Sequence, residues 1–211
     1  HEVNIKILLA GLIRRGDMTG KQRDALLASM TDAVASLVLA DNYQQTQAIA
    51  LEAAAGASLI EVHGRLIRHL EARGSLHRGI EFLPDDKGLA ERAQQKRGLT
   101  APEIAVLLAY AKIALKEILL ASSLPDSEDM HQLLVAYFPA PLLVRCRELL
   151  PAHPLRRDII ATQLVNRLVN RMGTTFVLQL GDETGASAAQ VAGAWYAASS
   201  VLDAEALWQE I

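Results

Sequence analysis

Apolar residues recur at the three- and four-residue spacing of a helix through nearly every segment of this chain, and no segment alternates confidently with the two-residue period of a strand. That feature confines the fold to packed helices. The clearest case is "LRRDIIATQLVNRLVNRMG", residues 155–173. At about 100° per residue, Ile160, Ala161, Leu164, Val165, Leu168, Val169 and Met172 cover one broad arc. Arg156, Gln163, Asn166, Arg167, Asn170 and Arg171 gather on the other, with Ile159 intruding.

Start signals divide the chain into helices. Thr19 followed by Gln22, Thr100 followed by Glu103, and Ser187 followed by Gln190 each have the spacing of a capping box, in which two side chains satisfy orphan backbone donors. Pro102 strengthens the second, because proline fits the first helical turn. The helix opened at Thr19 is expected to carry Leu26, Leu27, Met30, Val34, Leu37 and Val38 on one side. Ala-rich helical text follows from about Gln45 to Ala72, and the polar run "DNYQQTQ", residues 41–47, reads either as a junction between the two or as a surface that meets a polar ligand or another domain. The helix after Thr100 has Ile104, Leu107, Leu108, Ala111, Leu115, Ile118 and Leu119 on its apolar face. Pro125, Pro139, Pro141, Pro151 and Pro154 then cut the text into short helices, and Asp203 is placed to cap a last turn through Trp208 to Ile211.

The resulting expectation is an all-α, multi-helix bundle with short Pro- and Gly-punctuated connections. Residues 1–73 form an N-terminal helical part, 74–99 a connector with one short helix, and 100–211 a C-terminal helical part, the three packing as one compact unit. With 211 residues and 51% hydrophobic content, the chain can bury a substantial core. A net charge of -3 excludes a global basic footprint, so neither nucleic acid nor an anionic membrane is the expected partner. No apolar run reaches the roughly 18 residues a membrane span needs. The single cysteine, Cys146, excludes an intrachain disulfide framework and a Cys-based zinc site, and suits a reducing cytoplasm.

Catalytic motifs are scarce. "GDMTGKQ", residues 16–22, is one residue short of a phosphate loop and has Gln22 where Ser or Thr should meet magnesium, so it reads as a turn. There is no G-x-G-x-x-G and no G-x-S-x-G elbow. His63 and His69, six residues apart, point about 240° from each other on a helix and do not share a metal. No catalytic, cofactor-binding or metal-ligating residue is therefore assigned. The polar helical stripe carries no acid, whereas the tail from Met172 to Ile211 carries Asp182, Glu183, Asp203, Glu205 and Glu210 and no Lys or Arg. That asymmetry suggests docking of the stripe on the tail, with Arg167 and Arg171 meeting Asp182 or Glu183. Contact with another domain or subunit, and direct binding of a phosphate or dicarboxylate, remain open for it.

Five blocks, "HEVNIKILL", "MTDAVASLVLADNYQQTQA", "IEFLPDD", "RGLTAPEIAVLLAYAKI" and "RRDIIATQLVNRLVNRMGTTFV", resemble the C-terminal part of the large bacterial NAD-specific glutamate dehydrogenases. The resemblance covers most of the chain and is weakest over residues 48–76. It implies a parent enzyme that converts L-glutamate and NAD to 2-oxoglutarate, ammonia and NADH, with both ends of this chain continuing into more protein. The family's catalytic lysine and Gly-rich dinucleotide loop have no counterpart here, so the chain is expected to be inactive alone and not to bind NAD. Its expected partners are the catalytic domain of the same polypeptide and further copies in a homo-oligomer. By analogy with smaller glutamate dehydrogenases, Glu2 to Gln47 crosses back toward the substrate domain, which brings Asn42, Tyr43, Gln44 and Gln47 near an interdomain cleft. The competing reading is a stand-alone helical interaction module unrelated to glutamate.

Overall fold

The computed structural model describes residues 1–204. Those residues form α1 (Glu2–Arg15), α2 (Gly20–Ser29), α3 (Thr31–Ala55), α4 (Ile60–Ala72), α5 (Asp86–Gln94) and α6 (Ala101–Ala121), then α7 (His131–Tyr137), α8 (Ala140–Cys146), α9 (Arg156–Met172), α10 (Phe176–Thr184) and α11 (Ala188–Val201). No strand occurs among the described residues, and the class is all-α. The last turn expected through Trp208 to Ile211 lies outside them.

All three capping boxes form. The Thr19 N–H donates to Gln22 Oε1 at 2.9 Å, and the Gln22 N–H to Thr19 Oγ1 at 3.3 Å. Ser187 and Gln190 repeat this arrangement at 2.9 and 3.3 Å. At the start of α6 the Glu103 carboxylate accepts from the Thr100 N–H at 2.7 Å, and it also receives a two-armed bond from Arg92 of α5 at 2.6 and 2.8 Å. One carboxylate thus caps α6 and ties α5 to it. "GDMTGKQ" is the turn that its spacing implies: Gly16 in the left-handed region ends α1, and Thr19 opens α2.

Two boundaries differ from the sequence expectation. The helix opened at Thr19 stops at Ser29, and α3 starts afresh at Thr31. Met30 between them is fully buried, while α2 buries none of its own residues. The chain turns at Met30 to bury that side chain, and α2 is anchored at its ends by Met18 and Met30 rather than by a face. The second difference is that residues 41–47 are no junction but the middle of α3. They contain neither Gly nor Pro, so nothing in them stops a helix. The break falls instead at Gly56, whose φ of 56° admits the 3-10 turn Gly56–Leu59 before α4. There the backbones of Gly56 and Gly98 pass so closely that a Cβ on Gly98 would lie 2.5 Å from the Gly56 carbonyl oxygen.

The helices pack as two units, and each draws on two stretches of chain. The first comprises residues 1–43 and 125–163. It buries Ile5, Leu8, Leu9 and Leu12 of α1 and Leu133, Leu134 and Leu142 of α7 and α8. At its edge the His1 ring stacks on Tyr137, with centroids 4.3 Å apart, and Asn4 Nδ2 donates to the Tyr137 hydroxyl at 2.8 Å. The second unit comprises residues 44–124 and those from 164 onward. Its core joins Ile60, Leu66, Ile67 and Leu70 of α4 to Ile104, Leu107 and Ala111 of α6. Leu76, Leu83 and Leu89 reach the same core from residues 74–99, which hold the one short helix expected there, α5.

Candidate functional site

A helix is held in water by a buried face, and α3 has very little of one. Along 25 residues it buries only Ala48 and Glu52. Leu39 and Tyr43 are 67% and 68% exposed. Leu39, Tyr43 and Gln47 recur every four residues and therefore share one face. Asn42 and Gln44 sit about 100° to either side of Tyr43 by the helical period. The four polar residues singled out in the sequence are thus close in the chain but not convergent in space: Tyr43 and Gln47 share a face, and Asn42 and Gln44 flank it. A strip of leucine, tyrosine and amide side chains on an exposed helix has the mixed apolar and polar character of a contact surface.

The opposite side of α3 holds a buried polar cluster. Glu52 Oε2 lies 3.0 Å from His63 Nε2 of α4, and both residues are buried. The same carboxylate accepts the Thr174 N–H at 2.5 Å and the Thr174 hydroxyl at 2.9 Å. Gly173, with φ 89°, delivers that N–H at the end of α9, and a Cβ there would stand 2.8 Å from Glu52 Oε1. Burial pushes the Glu52 carboxyl up, but the bonds from His63 and Thr174 outweigh it, and the group ends below the usual carboxylate range. With the carboxylate as acceptor, His63 donates from Nε2. Its Nδ1, buried with no hydrogen-bond partner among the described residues, then carries a lone pair, a smaller penalty than a buried orphan N–H.

Sequence reasoning passed over this cluster, although a signal existed. Glu52 is the one charged residue between Asp41 and Glu61, set in "AIALEAAAGA". A lone acid in an apolar helix demands a buried partner.

The α9 stripe is less solvated than its composition implies. Ile159, the residue intruding on the polar side, is buried, as is Asn170, whose Oδ1 has no partner among the described residues. Gln163, Asn166, Arg167 and Arg171 are half-buried, and Met172, expected on the apolar arc, is exposed at the helix end. The acid that answers Arg156 is not in the tail: Arg156 Nη2 bonds Asp126 Oδ1 at 2.7 Å, and Arg157 meets the other oxygen. Asp126 lies in the 3-10 turn Leu124–Asp126, within the same packed unit as the start of α9. Asp182 of the tail pairs with Arg65 of α4 at 3.4 Å. At its start the stripe is thus answered by Asp126.

A cavity of about 250 Å³ lies in the second unit, walled by Leu66, Leu70, Leu115 and Leu178, with His69 and Thr174 among its few polar groups. His63 and His69 serve separately, one in the carboxylate cluster and one in this wall. No helix among the described residues is long and apolar enough to cross a membrane.

Residues 96–211 match the family model described as "Glutamate dehydrogenase, C-terminal", and residues 1–52 match "Bacterial NAD-glutamate dehydrogenase, catalytic domain". The chain is 51% identical over 195 residues to the NAD-specific glutamate dehydrogenase of Pseudomonas aeruginosa, covering 92% of this chain and 12% of that protein. It is 46% identical to the protein of the same description from Halomonas elongata and 38% identical to that from Mycobacterium tuberculosis, each over 211 residues, the whole of this chain. It spans 12–13% of the length of these relatives.

Proposed function

Because this chain belongs to the glutamate dehydrogenase family, we propose that it is a helical, noncatalytic part of an enzyme that oxidises L-glutamate with NAD to 2-oxoglutarate, ammonia and NADH. Its role is to support the catalytic domain of the same polypeptide and, through it, the homo-oligomer, in the cytoplasm. The observation that carries this reading is the uncovered face of α3. Leu39, Tyr43 and Gln47 fall within residues 1–52, the stretch matched by the catalytic-domain model; Leu39 and Tyr43 are exposed in this chain and Gln47 is half-buried beside them. The rest of that domain is the natural cover, and Asn42 and Gln44 then border the contact. Arg167, Asn170 and Arg171 lie in the other matched stretch, outside this surface, and organise helix packing.

The chemistry follows from what such a segment can supply. Hydride transfer needs a cofactor cradle and a general acid or base at the substrate carbon. In this reading both belong to the remainder of the polypeptide, and α3 contributes by excluding water and fixing the contact geometry. The test is Leu39→Asp in the full-length polypeptide and in the 211-residue chain. Glutamate-dependent NADH formation should fall at least about tenfold in the former, since a buried unpaired charge disrupts a contact surface, while the melting temperature of the latter stays unchanged. Unchanged activity would remove α3 from the catalytic contact.

A further inference from the structure

We propose that Glu52 is a positioning residue: through His63 of α4 and Thr174 after α9, it sets the register in which α3 presents its exposed face. This inference rests on the interdomain reading above. Apolar contacts alone fix that register poorly. α3 buries Ala48 and half-buries Ile49 and Ala53 against the core of the second unit, and such contacts are non-directional. The bonds to Glu52 are directional, and they come from two elements well separated in sequence: His63 Nε2 at 3.0 Å, Thr174 N at 2.5 Å and Thr174 Oγ1 at 2.9 Å.

The cluster is specific for a carboxylate. Thr174 N–H and His63 Nε2–H are donors aimed at its two oxygens, and an ionised carboxyl is the side chain that accepts on both sides. A glutamine must turn its NH2 toward one of them. Turned toward His63, it forces the ring proton to Nδ1, which is buried without a partner, so the substitution creates an orphan donor. Gly173 closes the site from the other side, because any Cβ there collides with Glu52 Oε1. Gln47 stands five residues up the same helix, about 8 Å at the helical rise. Sliding or rotating α3 at Glu52 moves it. Glu52 is also the last residue of the stretch matched by the catalytic-domain model, whereas Thr174 lies in the C-terminal match. One carboxylate therefore links the two family segments.

The experiment combines three readouts. In the 211-residue chain, ring nitrogen shifts should place the His63 proton on Nε2 in the native protein and on Nδ1 in Glu52→Gln. Hydrogen exchange of α3 amides 44–52 should accelerate about tenfold in Glu52→Gln, and measurably in the milder Thr174→Val, while amides 104–115 of α6 keep their protection. In the full-length enzyme, the same variants should raise KM for glutamate more than they lower kcat. Unchanged exchange in α3, or equal acceleration in α3 and α6, overturns the positioning role. If Glu52→Gln does not fold, the Thr174→Val exchange pattern decides. Altered α3 exchange with unaltered kinetics leaves the anchor standing and removes the interdomain reading.

Discussion

Glu103 shows how much one side chain can hold. It caps α6 and takes a forked bond from Arg92, and it is largely shielded from solvent. Thr100→Ala should lower stability by about 1 kcal/mol in chemical denaturation, the usual loss for an N-cap. Glu103→Ala should cost more, because it also leaves Arg92 unpaired. Burial raises the Glu103 carboxyl, and the bonds from Arg92 and Thr100 bring it net below its ordinary 4.5. Glu52 is lowered in the same sense. A carboxyl lowered in the folded state contributes stability that is fully present above the ordinary value and is lost as pH falls through the folded one. Denaturation midpoints should therefore drop below about pH 4.5, and less steeply in Glu103→Gln than in the native chain; an equally steep loss would remove Glu103 from the acid transition. Gly98→Ala tests sterics rather than charge. The new Cβ meets backbone at Gly56, which cannot swing away as a side chain does, so a loss of about 3 kcal/mol is expected from thermal melting.

At the scale of elements, α2 and α3 depart from the rule that a helix buries one stripe. α2 is pinned at its ends by Met18 and Met30, and α3 is pinned by a polar cluster with most of its length uncovered. Its surface substitutions should accordingly be silent in this chain: Leu39→Ser, at a residue 67% exposed, is expected to change stability by less than about 0.5 kcal/mol, and a larger loss would mean the face is already covered. α9 is the reverse case, with a polar stripe drawn into packing. Arg156 and Arg157 share Asp126, and a double-mutant cycle on Arg156→Ala and Asp126→Ala should return about 0.2–1 kcal/mol of coupling that weakens as salt rises, since these side chains remain partly exposed. A zero coupling at low salt would make the pair a geometric coincidence.

For the whole molecule, the expectation is a chain that folds but does no redox chemistry by itself. Calorimetric titration with NAD should give no saturable heat, and glutamate should yield no NADH; turnover by the isolated chain would overturn the division of labour proposed above. What the sequence determined alone is local. The helical class, the three capping boxes, the turn at Gly16 and the apolar arc of α9 follow from spacing and cap chemistry, which act within one or two turns of a helix. Even the family blocks are local strings. What only the tertiary structure decided is where distant stretches meet: two units each assembled from two segments of chain, Glu52 reaching Thr174, Arg92 reaching Glu103, and Arg156 finding Asp126. A charge on a helix face has many acids within the chain to choose from, and periodicity gives its direction without its partner. The break at Met30 has the same cause, since one buried methionine outweighs the continuity of a helix that has no buried face of its own.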